Sequence, residues 1–509
     1  MGQKCDVVSV MHERIATIGD AQVEYVLDRA SLGVGRVNHI LRVHGDELVR
    51  DGVPLQEFDV AVRNELDRLF PGIAAEGHEQ ATFAQTFGGL SWRRATDVAR
   101  PAHLGSLVAV CPMVTDMCFQ ATKAGLLPAG VVERCLSEKV LRVRASYLDE
   151  LDETEKVKAE EFLDQAAERS SALWEGLLSG SGGVSVHAPV ANIVYTSDSQ
   201  EPPTERADAA PPDSSAAESG RRPLNGLHLQ KELARLQDCT RLRALEDSLR
   251  TQCNWPQLEE LRDLRHKAVS HKWLTHCDSR QGSVLAQSDF VINVQRRLGA
   301  CLLQTDVQCA RCQQNLDPQL VHSECCDIPG ATRGHYAVVR ALMPGLRLAD
   351  SGASTEPRGL SSTHSRPADI LTTAAVPGRS AALDVCIASP NSSMAGADAA
   401  ESAFRRKLRH YRAVLPELAA AGICYRPLVW TSAGRPPPSR GPNHAVRSWG
   451  GGVQEQRAWQ CQCIGCKVEA RSPHRNTAEA CRHDAGRHAV SGCQGHMATH
   501  RVHGSSACS

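Results

Sequence analysis

Apolar residues recur every three or four positions over much of the chain's first 180 residues. "AQVEYVLDRA" (21–30), "EFDVAVRNELDRLF" (57–70) and "VERCLSEKVLRVRASYLDEL" (132–151) each carry that spacing, which predicts amphipathic helices. Within "FGGLSWRRATDVARPAHLGSL" (87–107), Gly88 and Gly89 mark a turn ahead of a further helix. A charged helix follows over 152–178 and "SGSGG" ends it. Helical periodicity resumes in "LHLQKELARLQDCTRLRALEDSL" (227–249) and "PQLEELRDLRHKAVSHKWL" (256–274) and continues to about residue 303.

From residue 305 the pattern changes. Short β-type runs, "AALDVCIA" (381–388) and "ICYRPLVW" (423–430), flank a predicted helix, "AESAFRRKLRHYRAVLPELAAAG" (400–422). Strand, helix, strand predicts an α/β core. Between the two helical stretches, 197–223 reads "SDSQEPPTERADAAPPDSSAAESGRRP", too polar and proline-rich to bury a core, and so predicts a flexible linker. After "GRPPPSRGP" the periodicity dissolves, and 441–509 predict little fixed structure.

Composition narrows what such a chain does. With 509 residues there is room for about three or four domains. A net charge of -1 gives no global attraction to nucleic acid or membrane, so any such binding must come from local patches. The N-terminus lacks an apolar core of signal-peptide length, and Asp6 stands where a myristoylation site needs Ser or Thr. No stretch reaches the roughly 18 apolar residues expected of a membrane span. These readings predict an intracellular protein, in which 20 cysteines signal thiol or metal chemistry and not a disulfide framework.

Two constellations carry chemistry. "CARCQQNLDPQLVHSECC" presents Cys309, Cys312, His322 and Cys326; a Cys-x-x-Cys turn offers two thiolates to one ion, and a following His and Cys complete a tetrahedron suited to zinc. Cys325 competes with Cys326 for the fourth place. The second is "RPADILTTAAVPGRSAALDVCIASP", which sets Asp369 and Asp384 about one hairpin apart. If one ends a strand and the other begins the next, both carboxylates can hold a cation such as magnesium at a phosphate. Lys407, on the helix that follows, supplies positive charge at the transition state, with Tyr411 one turn further on the same face.

In order and spacing these segments resemble the C-terminal half of the protein of a non-LTR (LINE-type) retrotransposon carrying a restriction-like endonuclease. "HILRVHGDEL" and the "FGGL" segment resemble that family's sequence after its polymerase core. "RRLGACL", the Cys-Cys-His-Cys knuckle, "RGHYAVVRAL", "EPRGL", "RPADI", "ALDVCIASP", "KLRHY" and "YRPLVW" then follow in the family's order, and the likeness spans about residues 20–436. It implies a multidomain α plus α/β protein. The parts would be a thumb-like helical region (1–196), a flexible linker (197–225), a helical linker (226–304), the zinc knuckle (305–327), a restriction-like endonuclease of the PD-(D/E)xK type (328–436) and a Cys/His-rich tail (437–509).

The resemblance also implies roles. Asp369 and Asp384 match the metal-binding acids, Lys407 the catalytic lysine, Tyr411 the tyrosine beside it, and Glu356 an acidic position ahead of the first strand. Arg333 and His335 match a basic pair at the start of the nuclease's first helix, placed to touch phosphate. Structural zinc, catalytic magnesium or manganese, a DNA target, element RNA and a nuclear location are implied as well, with no membrane. The chain departs from the plain nuclease pattern at Cys386, where a lysine would stand; the family places its lysine on the next helix, where Lys407 is. No adjacent pair of aspartates occurs, so no polymerase activity is expected. The tail's "CQCIGC", Cys481 and His483 lack the spacing of a second zinc site. The expectation is a magnesium-dependent DNA endonuclease that nicks DNA to prime reverse transcription; its rival is a non-catalytic nucleic-acid-binding remnant.

Overall fold

The computed structural model describes residues 2–128, 130–178, 227–277, 285–303, 305–309, 312–326, 331–362 and 366–438. All belong to one compact unit, Met1–Gly465. The expected linker, the expected tail (beyond Pro438) and the side chain of Arg333 lie outside them.

Among the described residues, eight α-helices form the N-terminal region: α1 (Gly2–Ala16), α2 (Ala21–Ser31), α3 (Asn38–Asp51), α4 (Val53–Leu69), α5 (Ala75–Thr82), α6 (Ala95–Lys123), α7 (Val131–Leu148) and α8 (Glu153–Leu178). Asp20 starts α2 by accepting from the N–H groups of Gln22 and Val23, an N-cap of the usual kind. The turn before α6 needs both its glycines. Gly88 sits at φ 87°, and a Cβ on Gly89 would lie 2.2 Å from the Phe83 carbonyl.

After residue 226 come α9 (Leu227–Thr251), α10 (Trp255–Leu264) and α11 (Gln287–Arg297). These are not a separate body. Phe290, Val294 and Leu298 pack into the core built by Tyr25, Leu41, Phe58 and Phe70. Leu229, Leu233 and Leu236 pack with Leu104, Tyr147 and Leu163. Each such fully buried side chain contributes about 1.5–3 kcal/mol, so the two helical stretches stabilise each other. Their apolar stripes are legible one by one in the sequence, whereas their shared cores are not.

Helix α6 passes the length and composition test for a membrane span, unlike the expectation that no stretch would. Its first half is a core helix: Val98, Ala99, Ala102 and Leu104 are buried among the neighbouring helices.

The C-terminal part begins with a short turn, α12 (His322–Cys325), and the long helix α13 (Ala331–Ala349). Four strands follow: β1 (Ser354–Thr355), β2 (Ile370–Val376), β3 (Arg379–Ala388) and β4 (Ile423–Thr431), in spatial order β1-β2-β3-β4. β2 and β3 form an antiparallel hairpin whose turn uses Pro377 and Gly378, the latter at φ 70°. β3 and β4 are parallel, joined by α14 (Ala399–His410) and α15 (Leu415–Ala420), so the expected strand-helix-strand unit is present. The single helix expected over 400–422 is two, because Pro416 would clash with the Arg412 carbonyl. α13 covers one face of the sheet through Val338, Val339 and Leu342 against Ile370, Leu383 and Leu428. α14 and α15 cover the other, Ala400 and Ala403 against Val429 and Leu418 against Tyr425. The whole is mostly helical with one small mixed sheet, an α plus α/β layout.

Candidate metal centre and candidate nuclease site

The knuckle begins as a miniature hairpin. Gln308 bridges Asn315, and Leu316 donates to the Val307 carbonyl at 2.7 Å. The tight turn is closed by Cys309 N–H to Gln314 and Gln313 N–H to Cys309, with Gln313 at φ 60°. Asp317 accepts from the N–H groups of Val321 (2.8 Å) and His322 (2.7 Å), which fixes the turn that carries His322. The result brings one ligand atom from each of Cys309, Cys312, His322 and Cys326 within 4.8 Å of the others. Cys326 Sγ lies 3.8 Å from the sulfurs of both Cys309 and Cys312, and His322 Nε2 lies 3.2 Å from Cys312 Sγ. A tetrahedral zinc site with Zn–S near 2.3 Å has sulfur–sulfur edges of about 3.8 Å. The cluster can therefore hold a metal such as zinc. Cys326, not the exposed Cys325, completes it. Without a cation, partial burial and the neighbouring sulfurs of Cys309 and Cys312 push the Cys326 thiol up to about 11, so loading a metal releases its proton.

The two aspartates meet, though by a different route from the one expected. Asp369 precedes β2 instead of ending a strand, and Asp384 lies inside β3. The register pairs Ile370 with Leu383, and one residue outward it sets Asp369 across from Asp384. Asp369 N–H donates to the Leu383 carbonyl (2.8 Å), and its Oδ2 accepts from Val385 N–H (2.7 Å). His335, on α13, places Nε2 3.1 Å from Asp369 Oδ1. Lys407, on α14, donates to Asp384 Oδ1 at 2.8 Å. Tyr425 donates to Asp384 Oδ2 at 2.6 Å.

The electrostatics follow from those partners. Burial alone would raise Asp369, but His335, the Val385 N–H and Lys407 outweigh it and hold the carboxyl below its usual range. Burial dominates at Asp384 and keeps it raised despite Lys407 and Tyr425. Lys407 is raised because the Asp384 carboxylate outweighs the effect of burial. Cys386, half-buried beside the pair, has its thiol pushed up by burial.

The remaining residues stand further off. Tyr411 stacks edge-on against Tyr425 with ring centroids 5.3 Å apart, and its hydroxyl donates to the Arg366 carbonyl at 3.0 Å. Glu356 donates its N–H to the Asp369 carbonyl from a left-handed backbone at φ 48°, while its exposed carboxylate faces Arg366 at 3.7 Å. Tyr425 was not expected at the site. Its signal is a lone polar aromatic in an apolar strand, and the β3–β4 register, Ala382 with Tyr425, turns it to the side Asp384 occupies.

The helical region also carries a cluster with no expected role. Asp28 (α2) and Glu65 (α4) are buried beside Glu24, and Arg68 holds the two glutamates, with Glu65 at 2.6 Å. Burial, then the charge of Glu65 and a hydrogen bond shared with it, push Asp28 up to about 8.

Comparison with protein-family models gave no match, and comparison with curated proteins gave none.

Proposed function

We propose that this chain is a retroelement-type endonuclease that nicks DNA with a divalent metal ion at Asp369 and Asp384, next to a zinc-stabilised knuckle. The observation that carries the reading is the convergence of buried Asp384 with half-buried Asp369 and Lys407, from three segments of an α/β core. The donor set suits a hard cation. Each carboxylate oxygen has one donor, and an oxygen accepting one hydrogen bond keeps a further lone pair. Bound magnesium or manganese would supply Lewis-acid charge and an activated water at the phosphate. Within the protein, Lys407 holds a positive charge beside the reacting group, His335 orients Asp369, and Tyr425 fixes the rotamer of Asp384.

The test is nicking of supercoiled plasmid by the full 509-residue chain, with magnesium or manganese against none. Asp369→Asn removes half of the carboxylate charge available to the ion, so nicking should fall about 100-fold or more while DNA retention holds. A second reading, a nucleic-acid-binding protein without catalysis, is favoured by one observation: every oxygen of the pair already has a protein donor. Equal background from wild type and Asp369→Asn would establish it over the nuclease. For the knuckle, elemental analysis of the same preparation should show one zinc more in wild type than in the Cys309→Ser/Cys312→Ser variant. An equal content would refute the zinc assignment.

A further inference from the structure

Arg435 follows the last strand and is 9% exposed, although the nuclease reading gives it no part. Its guanidinium spans two carboxylates from different regions of the chain. Nε donates to Asp263 Oδ1 at 2.6 Å, and Nη1 donates to Asp398 Oδ2 at 2.7 Å. Asp263 belongs to α10 of the helical body, and Asp398 is the N-cap of α14. The main chain of Arg435 is fixed as well. Its N–H donates to Thr431 Oγ1 at 3.1 Å, and its carbonyl accepts from Thr431 N–H at 2.9 Å.

Asp263 is poorly placed on every other account. It lies in the last turn of α10, where the helix dipole disfavours a carboxylate. It is also buried, and its Oδ2 has no hydrogen-bond partner among the described residues. The ion pair with Arg435 offsets those costs.

What Arg435 joins are the supports of Asp384. Asp398 accepts from Glu401 N–H at 2.9 Å and so starts the helix that carries Lys407, about 13.5 Å further along the axis. Thr431 ends β4, the strand that carries Tyr425. Lys407 and Tyr425 are the two donors to Asp384. Arg435 therefore ties the elements bearing both donors to each other and to α10. A lysine could not do this, because an ammonium is a point charge whereas the planar fork reaches two carboxylates in a fixed geometry. The body and the sheet also meet at a second point. Glu324 of the knuckle pairs with Arg296 of α11 and accepts from the Ser389 hydroxyl, just after β3, at 2.8 Å.

We infer that Asp263 and Arg435 are positioning residues, through which the helical body sets Lys407 and Tyr425 against Asp384. For its effect on cleavage the inference rests on the nuclease reading, and it adds the body to the nuclease.

The experiment compares the full wild-type chain with Arg435→Lys and Asp263→Leu. Arg435→Lys keeps the buried charge but not the fork. Asp263→Leu removes the tie at similar size and leaves Arg435 paired with Asp398. Magnesium-dependent nicking of supercoiled plasmid, measured over a range of plasmid concentrations, should show kcat lowered about 10- to 100-fold and KM unchanged in both variants. Amide hydrogen exchange without divalent ions should quicken in α14 and at the end of β4, and stay as in wild type in α13. Asp238→Asn weakens a buried ion pair within the body, with Arg93 at 2.6 Å, and should leave both kcat and exchange in α14 unchanged. A wild-type kcat in either variant, a raised KM in place of a lowered kcat, unchanged exchange in α14, or the same pattern from Asp238→Asn would each overturn the proposal. The two readings fail separately. If wild type does not nick, the nuclease reading is lost and exchange alone decides: quicker exchange in both variants upholds the tie, and unchanged exchange removes it. Nicking at one rate by wild type and both variants keeps the nuclease and removes the positioning role.

Discussion

The helical body and the sheet each bury a group of carboxylates, and they satisfy them in opposite ways. In the body, the single guanidinium of Arg68 serves Glu24 and Glu65 and leaves Asp28, raised to about 8, to keep its own proton. On the sheet, Asp369 and Asp384 each receive two donors, from His335 and Val385 or from Lys407 and Tyr425. Protonation is the way a fold tolerates a buried acid that has nothing to do. Ordered donors around a carboxylate, by contrast, offset part of the cost of burying its charge: they hold Asp369 below its usual range and counter, without overcoming, the effect of burial at Asp384. The comparison teaches that burial alone does not distinguish the two groups of carboxylates; what differs is how many donors the fold sets around each oxygen.

Removing a charge should therefore have opposite consequences in the two places. The larger is expected on the sheet. Asp384→Ala leaves Lys407 without its partner in a site where both are mostly buried and deprives the Tyr425 hydroxyl of its acceptor. Losing one member of a buried pair costs about 3 kcal/mol or more. Urea unfolding should show that loss, and added magnesium should stabilise wild type by mass action but not the variant. An Asp384→Ala chain as stable as wild type, and equally responsive to magnesium, would erase the distinction between the two clusters.

How far this contrast was legible in the sequence depends on the distance over which each feature is encoded. The helices, the strand-helix-strand unit and the knuckle depend on spacing within about twenty residues, and so Cys309, Cys312, His322 and Cys326 could be read directly. The choice of Cys326 over Cys325 needed the geometry of the turn after His322. The approach of Asp369 to Asp384 was legible as a hairpin, but its register was not: the two-residue turn at Pro377 and Gly378 would by itself set Asp369 across from Cys386, and the register shift between Thr372 and Val376 sets it across from Asp384. Tyr425 reaches Asp384 only through a parallel pairing set by a crossover, and His335 reaches Asp369 from a helix on another segment. The Asp28 cluster lay furthest out of sight. On the sequence Asp28, Glu24 and Glu65 are ordinary polar positions of amphipathic helices, and only the shared core that brings α2 to α4 buries them.

That last cluster gives the smaller and sharper test. Asp28 has its folded pKa raised from an ordinary carboxyl value to about 8. A raised carboxyl contributes its full stability below its unfolded value, near pH 4, and loses it as pH climbs toward the folded value. Between those limits the native chain retains a proton that the unfolded chain gives up, so stability should decline with rising pH across neutrality. Asn at position 28 has the same shape, carries no charge and can still offer a donor to Glu65, so Asp28→Asn should remove this slope. Measured as the difference between variant and wild type in urea unfolding at pH 5, 6, 7 and 8, the variant should gain on the order of 1 kcal/mol per pH unit. His12, at 4.0 Å from Asp28 and lowered by burial, is present in both chains, so its own titration largely cancels in the difference. A difference that is flat with pH would mean Asp28 is ionised in the folded chain, and the helical cluster would then belong with the one on the sheet.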